Sequence, residues 1–445
     1  MNLINRSAQT RPPRRYPAIL ACLPIVAGLA QFTTPTAGMG SERSAEIAGR
    51  IQKVLTENII PFWYPEVVDG DHGGYRLHHD RQGRRLEDAP KVTVTQARVL
   101  WFFSRLLESP YGRPEYREAA RHGFRFLADH VWDPEYGGFY WSVSADGVGP
   151  IQDGKHLYAQ AFALYGLACY ARVTGDGEAV RLAQRLLSLI EEKAHDPRYG
   201  GYRENLSRDW SAVTGSEPSP LGPSPDVKTM NTHLHLMEAL TEYRRLHDTP
   251  LVRERLAELV LIESNAVIRK PYCQGTDVYR PDWTPVLEGS AAMTSYGHDL
   301  ENVWLLMEAL EGLDVPQAPL VDFYRAVWEA ALRWGYDRAL GGFWYRGELG
   351  KPASVLTKEW WVQAEALVSA LRMYRATGEQ RYFEVFEKLW EWIETRQVDW
   401  TYGEWFANIE PDGSVRGDKA GPWKGPYHNA RAMLECLELL KESQP

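Results

Sequence analysis

A short glycine-aromatic turn recurs along the chain at nearly even spacing. It reads Gly-Gly followed by Tyr or Phe at residues 73–75, 137–139, 200–202 and 341–343, and Gly-Glu-Trp at residues 403–405. Successive copies are separated by 64, 63, 141 and 62 residues. The step of 141 is about two periods, which indicates that one copy has diverged, around residues 274–285. The spacing predicts six repeats of about 60 to 70 residues, each long enough for a helix pair and a short hairpin.

Two kinds of helical pattern alternate between these turns. One kind is apolar almost throughout and rich in small residues, as expected of a buried inner helix. The inner helices are predicted to begin near Val94, Lys155, Asn231, His298, Lys358 and His428. The other kind is amphipathic and more charged, as in residues 113–131, 178–193 and 251–270. This alternation predicts an all-α fold, an (α/α)6 barrel, with short β-hairpins at the end where the inner helices begin.

The first 40 residues differ from the rest of the chain. Arg11, Arg14 and Arg15 precede a short apolar run at residues 19–30, and small residues follow, which is typical of a secretory signal peptide. The alternative is that translation starts at Met39. In either case residues 1–40 are predicted to lie outside the fold, and residues 41–445 to form a single barrel domain. A start near Met39 predicts a cytoplasmic protein, and a real signal peptide predicts a secreted or periplasmic one.

Composition narrows the possible partners. The net charge is −9 and no block of basic residues is present, which argues against nucleic acid as a partner. The apolar run near the N-terminus is too short to span a membrane, so no membrane partner is expected. The 17 tryptophans and 23 tyrosines suit either a helical core or the stacking of sugar rings. A monomer or homodimer is expected.

If the inner helices run parallel, their first turns meet at one mouth of the barrel. The residues placed there are Arg98, Tyr158, Asn231, His233, His235, His298, Glu301, Trp360, Trp361, Glu365 and His428. Five of the twelve histidines occupy inner-helix starts, namely His156, His233, His235, His298 and His428. Buried histidines are costly without partners, so their clustering favours a functional pocket.

The chemistry of this ring follows from the histidines. His298 and Glu301 are three residues apart on one helix face, so the carboxylate could orient the imidazole. His428 comes from another helix, so two histidines could face each other across the pocket. Such a pair suits the removal of a proton from one face of a carbon and its return to the other. Arg98 could stabilise the negative oxygen of an enediolate.

Three other classes of function remain open at this point. Metal catalysis is poorly supported, because His233 and His235 are two apart on a helix and point in nearly opposite directions. A glycoside hydrolase needs two opposed carboxylates, and Glu301, Glu365 and Glu404 are available. A sugar-binding barrel without catalysis is the third class.

Four segments together resemble the N-acylglucosamine 2-epimerase superfamily, most closely its cellobiose 2-epimerase branch. They are residues 231–235 (Asn-Thr-His-Leu-His), 296–301 (Tyr-Gly-His-Asp-Leu-Glu), 359–365 (Glu-Trp-Trp-Val-Gln-Ala-Glu) and 420–429 (Ala-Gly-Pro-Trp-Lys-Gly-Pro-Tyr-His-Asn). The resemblance covers about residues 45–440 in the same order, and the N-terminal extension lies outside it.

The resemblance implies an (α/α)6 barrel that epimerises C2 of the reducing-end glucose of β-1,4-linked disaccharides. Cellobiose would become glucosyl-mannose, and lactose would become epilactose, through a cis-enediolate. N-acylglucosamine 2-epimerases and mannose isomerases share much of the ring and are the alternatives within the superfamily. No metal, nucleotide or other cofactor is implied.

The resemblance also implies a role for each matching residue. His428 and His298 would be the acid/base pair, and His235 would assist opening and closure of the sugar ring. Glu301 would support His298, and Arg98 would bind the enediolate oxygens. The substrate-binding residues would be Tyr158 and Asn231, which hold hydroxyl groups, and Trp361 and Trp423, which stack on the two sugar rings.

Overall fold

The computed structural model describes residues 39–86, 89–213, 219–222 and 224–441. In chain order its helices are α1 (Met39–Lys53), α2 (Ile60–Trp63), α3 (Thr93–Glu108), α4 (Pro114–Phe126), α5 (Leu157–Thr174), α6 (Gly177–Lys193), α7 (Met230–Leu246), α8 (Pro250–Leu261), α9 (Tyr296–Gly312), α10 (Val321–Trp334), α11 (Trp360–Thr377), α12 (Gln380–Trp392) and α13 (Tyr427–Lys441). Short π-helical segments extend α1, α4, α8 and α12, at Val54–Ile59, Leu127–Val131, Ile262–Ala266 and Ile393–Gln397. Two 3-10 turns lie at Gly289–Ala292 and Ala318–Leu320.

The helices of the described residues form two concentric layers. Helices α3, α5, α7, α9, α11 and α13 pack side by side in a ring that closes where α13 meets α3. Helices α1, α4, α6, α8, α10 and α12 each pack outside one inner helix. The inner helices are buried nearly all round, as in α5, where residues 157–171 are all buried. The predicted (α/α)6 barrel is therefore confirmed, and each inner helix begins within two residues of its predicted start.

Thirteen short strands in the described residues lie at the end of the barrel where the inner helices begin. They are β1 (Lys91–Val92), β2 (Ser142–Val143), β3 (Pro150–Gln152), β4 (Lys228–Thr229), β5 (Ile268–Arg269), β6 (Gln274–Gly275), β7 (Val278–Tyr279), β8 (Met293–Ser295), β9 (Arg346–Glu348), β10 (Ala353–Val355), β11 (Lys358–Glu359), β12 (Asn408–Ile409) and β13 (Val415–Arg416). Strands β1, β4, β8 and β11 each precede an inner helix directly. They pair antiparallel with β2, β7, β9 and β12, which lie further along the chain. These pairings link neighbouring repeats around the mouth of the barrel.

A buried ion pair fixes the glycine-aromatic turn in five of the repeats. The aspartate that opens each turn lies 2.8 to 2.9 Å from the amino group of a buried lysine near the start of an inner helix. The pairs are Asp69–Lys91, Asp133–Lys155, Asp196–Lys228, Asp337–Lys358 and Asp399–Lys419. The other carboxylate oxygen accepts backbone hydrogen bonds within the turn, as Asp69 does from the amides of residues 71 and 72. Each pair therefore ties a hairpin to the inner ring.

The fourth turn departs from this pattern and lies earlier than expected. It is formed by β5 and β6, which pair Ile268 with Gly275, and not by residues 274–285 as the spacing suggested. Arg269 stands where the other turns have aspartate, and Cys273 adopts a φ of 52°. Here the backbone amide of Gly275 donates to Oδ1 of Asp299 on α9, 2.7 Å away. A different contact thus joins this hairpin to its inner helix.

The predicted N-terminal boundary is only partly within the described residues. Helix α1 begins at Met39, two residues before the predicted start of the domain at residue 41, and it packs on α13. Residues 1–38, which carry the signal-like pattern, lie outside the described residues. Among the helices that the structure describes, none combines the length and the apolar character needed to cross a membrane.

Candidate active site

A cavity of about 360 Å³ opens at the end of the barrel where the inner helices begin. All nine residues that the sequence analysis assigned to catalysis or substrate binding line this cavity, namely Arg98, Tyr158, Asn231, His235, His298, Glu301, Trp361, Trp423 and His428. Leu221, Asp277, Tyr345, Arg346, Glu359 and Trp360 complete its wall. The structure therefore brings together side chains from six inner helices and the hairpins above them.

The inner helices supply these side chains from two equivalent positions. Tyr158, Asn231, Trp361 and His428 are each the second residue of an inner helix, and Arg98, His235, Glu301 and Glu365 are each the sixth. Positions four apart lie above one another on the same face of a helix. Two layers of polar side chains consequently face the barrel axis near its mouth.

His428 is paired with a buried carboxylate. Its Nδ1 lies 2.6 Å from Oε1 of Glu365, which also accepts a hydrogen bond from the indole of Trp304 through its other oxygen. An ionised carboxylate only accepts, so Nδ1 carries the proton and Nε2 is the basic nitrogen of the neutral ring. Burial, then Arg98 and Arg431, lower the pKa of His428 well below its usual value. The neutral ring is therefore favoured, and Nε2 is the nitrogen that can accept a proton.

His235 has the same kind of partner. Its Nδ1 lies 2.9 Å from Oε2 of Glu238, one turn further along α7. The ring packs edge-on against Tyr158 and lies 4.7 Å from the ring of Phe162, centre to centre. Burial lowers the pKa of His235, and Glu238 opposes that shift.

His298 and His428 share one aromatic neighbour. The ring centre of Trp361 lies 4.7 Å from that of His298 and 5.8 Å from that of His428. The indole nitrogen of Trp361 donates to Glu359, 2.6 Å away, which fixes the ring. Burial, followed by the charge of Arg346, lowers the pKa of His298 well below its usual value. His298 also faces an adjoining cavity of about 620 Å³.

The expected hydrogen bond between Glu301 and His298 is absent from the described residues. Oε1 of Glu301 instead accepts from Nη2 of Arg431, 2.9 Å away, and Oε2 has no hydrogen-bond partner there. The two residues are three apart on α9, but Glu301 reaches down toward the buried Arg431. Any support of His298 by Glu301 is therefore not a direct hydrogen bond.

Arg98 is held in place by its neighbours on the cavity wall. Its Nη2 donates to the hydroxyl of Tyr158, 3.1 Å away, and its Nη1 donates to the backbone carbonyl of Trp423, 3.2 Å away. The guanidinium lies over the ring of Phe162 at 4.1 Å. These contacts keep a permanent positive charge at the cavity, where it favours a negative oxygen.

Asn231 and Trp423 each present a group that a ligand could contact. Oδ1 of Asn231 is buried without a hydrogen-bond partner in the described residues, and its backbone amide donates to Oδ1 of Asp277, 3.0 Å away. Trp423 is 41% exposed and lies beside Trp141 and Tyr158 at the cavity mouth. An exposed indole beside a polar pocket can stack on a sugar ring.

Two of the five clustered histidines do not line the cavity. Nε2 of His233 accepts from the backbone amide of Tyr202, 2.9 Å away, and its Nδ1 binds the carbonyl of Thr229. Gln96, Gln160 and Gln363 hold the corresponding aromatic residues of other repeats in the same way. Nδ1 of His156 accepts from the backbone amide of Tyr158 and caps α5. The expectation that all five histidines belong to the pocket is therefore wrong for His156 and His233.

Comparison with known proteins decides the family. The model of the N-acylglucosamine 2-epimerase (GlcNAc 2-epimerase) family matches residues 73–432. The chain belongs to this family.

Curated relatives and solved structures agree with that membership. Cellobiose 2-epimerase from Bacteroides fragilis is 35% identical over 402 residues, which cover 88% of this chain and 98% of the relative. Cellobiose 2-epimerase from Ruminococcus albus is 33% identical and covers 87% of this chain and 97% of the relative. The structure of cellobiose 2-epimerase from Bacillus thermoamylovorans has a TM-score of 0.81 at 31% identity, covering 88% of this chain and 99% of that one. The protein is accordingly a sugar epimerase or isomerase.

Glycoside hydrolases share the fold of the N-acylglucosamine 2-epimerase family, but the carboxylates here are arranged differently from a hydrolase pair. A family 76 glycoside hydrolase matches with a TM-score of 0.59 at 13% identity, which reflects the fold alone. Glu301 and Glu365 both accept from the same Nη2 of Arg431, so they lie side by side and not on opposite sides of a bond. Glu404 binds Trp63, Lys424 and Asn429 away from the cavity. The hydrolase reading of these carboxylates is not supported by their geometry.

Donor atoms of Glu301, Glu365 and His428 lie within 4.8 Å of one another, a spacing that could hold a metal ion. However, Arg431 donates to an oxygen of each carboxylate, and His428 hydrogen-bonds to the same oxygen of Glu365. The guanidinium already supplies the positive charge that these carboxylates need.

Sequence reasoning missed several residues of the wall. Asp277 and Arg346 lie in the strands and loops of other repeats, where no helical periodicity marks them. Burial raises the pKa of Asp277 to about 6. The signal that could have found them is their position just before or within a hairpin that pairs with the strand preceding an inner helix.

Proposed function

We propose that this protein inverts C2 of the reducing-end glucose of β-1,4-linked disaccharides such as cellobiose and lactose. The observation that carries the proposal is the placement of His298 and His428 against the same indole, Trp361, in one cavity. A sugar bound against that indole would have one imidazole near each face of its reacting carbon. The sequences of the four motif segments and the similarity to cellobiose 2-epimerases support this substrate class.

The reaction begins with opening of the sugar ring. His235 is the residue proposed to move the proton between O1 and the ring oxygen, because Glu238 fixes its tautomer and leaves Nε2 free. Opening gives an aldehyde at C1, which makes the hydrogen on C2 acidic. Tyr158 and Asn231 are proposed to hold hydroxyl groups of the same sugar.

One histidine then removes the C2 proton. The electron pair of the C2–H bond forms a C1–C2 double bond, and O1 becomes negative in a cis-enediolate. Arg98 lines the cavity, and its guanidinium is proposed to stabilise that oxygen. The other histidine, which has taken a proton from solvent before this step, supplies it to the opposite face of C2, the carbonyl at C1 re-forms, and the ring closes with inverted configuration. Proton exchange with solvent then returns both histidines to their starting states, which is also how deuterium enters C2 in D2O.

The second sugar is proposed to stack on Trp423. This indole is 41% exposed at the rim, beyond the enclosed part of the cavity. The volume of about 360 Å³ lies in the range of small-molecule sites. This volume supports a disaccharide as substrate, with its reducing end proposed to lie inside and its other ring at the rim.

The test is incubation with cellobiose, lactose, mannose and N-acetylglucosamine in D2O, followed by NMR of the products. The proposal expects mannose at the reducing end of an intact disaccharide, with deuterium at C2. Fructose from mannose, without disaccharide turnover, would show a mannose isomerase instead. Inversion of N-acetylglucosamine alone would show an N-acylglucosamine 2-epimerase. Free monosaccharide from cellobiose would show a hydrolase, and binding without turnover would show a sugar-binding module.

A further inference from the structure

Beneath the cavity, one arginine contacts three carboxylates from three different inner helices. Arg431 of α13 is 2% exposed, and its partners are Glu238 of α7, Glu301 of α9 and Glu365 of α11. Nη2 lies 2.9 Å from Glu301 and 2.8 Å from Glu365, and Nη1 binds Glu238. The guanidinium also lies over the rings of Tyr427 at 4.1 Å and Trp304 at 4.7 Å. Its position is therefore fixed from several directions.

Two of these carboxylates are the partners of cavity histidines. Glu238 binds Nδ1 of His235, and Glu365 binds Nδ1 of His428. A continuous chain of hydrogen bonds thus runs from His235 through Glu238, Arg431 and Glu365 to His428. His298 has no hydrogen bond to any of the three carboxylates in the part of the chain that the structure describes.

The carboxylates of this network outnumber its one guanidinium, so a proton held by one carboxylate reduces the excess negative charge. One guanidinium faces three carboxylates, and all four groups are buried. Burial opposes ionisation of Glu238, but Arg431 and His235 outweigh it and lower the pKa of Glu238 to about 2. Burial, with Glu365 as a close neighbour, raises the pKa of Glu301 well above its usual value. Burial raises the pKa of Glu365 as well, but both of its oxygens accept hydrogen bonds, whereas Oε2 of Glu301 has no partner in the described residues. The proton is therefore assigned to Glu301, which leaves Glu238 and Glu365 as the charged partners of the histidines.

We propose that Arg431 is a positioning residue. Its one guanidinium binds both Glu238 and Glu365 and so fixes the orientation of His235 and His428, which these carboxylates hold. This inference rests on the proposed function of those histidines. Without Arg431, the buried carboxylates of Glu238 and Glu365 would lose their counter-charge and would have to take up protons or move. A protonated Glu238 or Glu365 can donate to Nδ1, which would place the imidazole proton on the wrong nitrogen. Both histidines would then present the wrong tautomer to the substrate.

The first test changes a carboxylate that binds His235 and Arg431 but not His428. Glu238→Gln keeps the size of the side chain but removes its charge, and Glu238 has no hydrogen bond to His428. Imidazole nitrogen NMR of the full-length protein reports the tautomer and titration of each histidine without any substrate. The shared guanidinium predicts that Glu238→Gln changes the signals of His235 and also the Nδ1 signal that reports the hydrogen bond of His428 to Glu365. The direct charge effect of Glu238 on the pKa of His428 would alter only the titration of that ring. An unchanged Nδ1 signal of His428 would overturn the inference.

The second variant replaces the shared group itself. Arg431→Lys keeps the charge but cannot bridge several carboxylates in one plane. We expect kcat to fall by about 10² or more, within the range of lost acid/base function, while KM changes much less. Both imidazole signals should change together. The matched control is Arg372→Lys, an arginine with a 15% exposed side chain that pairs with Glu311 and Glu435 at the far end of the barrel.

Three results distinguish a positioning role of Arg431 from a purely structural one and from failure of the proposed function. Equal effects of Arg431→Lys and Arg372→Lys on kcat, with unchanged histidine signals, would make Arg431 a structural residue only. If Arg431→Lys does not fold, the result for Glu238→Gln decides. If the wild-type protein does not epimerise any sugar, the proposed function fails, but the coupling of His235 to His428 is still measured by NMR.

Discussion

The Nδ1 atom of His428 and Oε1 of Glu365 lie 2.6 Å apart, although the residues are 63 positions apart in the chain. This contact selects the tautomer in which Nε2 of His428 is free to take a proton. His298 lacks such a carboxylate partner among the described residues. Burial and then nearby positive charges lower the pKa of both rings, the charges being Arg346 at His298 and Arg98 and Arg431 at His428. The two proposed acid/base residues therefore differ in that His428 has a carboxylate to stabilise its imidazolium.

Replacement of either histidine by asparagine should abolish inversion. General acid/base groups typically contribute about 10² to 10⁴ in rate, so His428→Asn and His298→Asn should each lose at least that much epimerisation. Sugar binding should survive through Trp361 and Trp423. Proton NMR in D2O measures both net inversion and deuterium exchange at C2, and one variant is expected to exchange deuterium into one epimer without making the other. Near wild-type turnover in both variants would make these histidines structural.

The pH dependence of kcat should have its acid limb below the usual histidine range. The neutral ring of His428 is the form that accepts a proton, and its pKa is lowered from 6.5 by burial, then by Arg98 and Arg431. As pH falls through 6.5 the ring therefore stays neutral, and activity is lost only at lower pH. In Arg98→Gln the residual activity should have an acid limb shifted to higher pH, because one of the nearby positive charges is gone. A wild-type limb at or above 6.5 would contradict this assignment.

His233→Gln should retain most of the activity. His233 occupies the position at which Gln96, Gln160 and Gln363 bind the hairpins of other repeats, and it does not line the cavity. A glutamine can accept from the amide of Tyr202 as the imidazole does. The matched control is His235→Gln, two residues along the same helix, which should lose activity strongly. The measurement is turnover of cellobiose by both variants. An equal loss of activity in the two would mean that His233 belongs to the active site.

Gly201→Ala should destabilise the protein more than Gly378→Ala does. Both glycines have a φ of 70°, so both substitutions impose about 1 to 2 kcal/mol of backbone strain. At residue 201 the added Cβ would also lie 2.6 Å from the ring of Trp283 and 2.8 Å from Nε2 of His233, whereas nothing lies within 4 Å at residue 378. Overpacking should add about 1 to 3 kcal/mol to the loss in unfolding free energy. Thermal unfolding of the two variants measures the difference, and equal shifts would mean that the hairpin moves aside freely.

The sequence alone determined the architecture and the location of the site. Glycine-aromatic turns at even spacing and apolar inner helices are local patterns, and they predicted the barrel and the starts of its inner helices. Parallel inner helices place their second and sixth residues at one mouth, so Arg98, His235 and His428 could be assigned to one pocket without knowledge of distances. The similarity of the motif segments to a known family supplied the proposed chemistry.

Only the tertiary structure decided the partners of those residues. His233 and His235 lie two apart on one helix, yet one holds a hairpin and the other faces the cavity. Glu301 was expected to contact His298 on its own helix, but it binds Arg431, 130 residues away. The direction in which a helical side chain points can be predicted from helical periodicity, because it depends only on the local chain. The partner that the side chain contacts depends on which helices and hairpins pack nearby, and in a closed ring those come from distant parts of the chain.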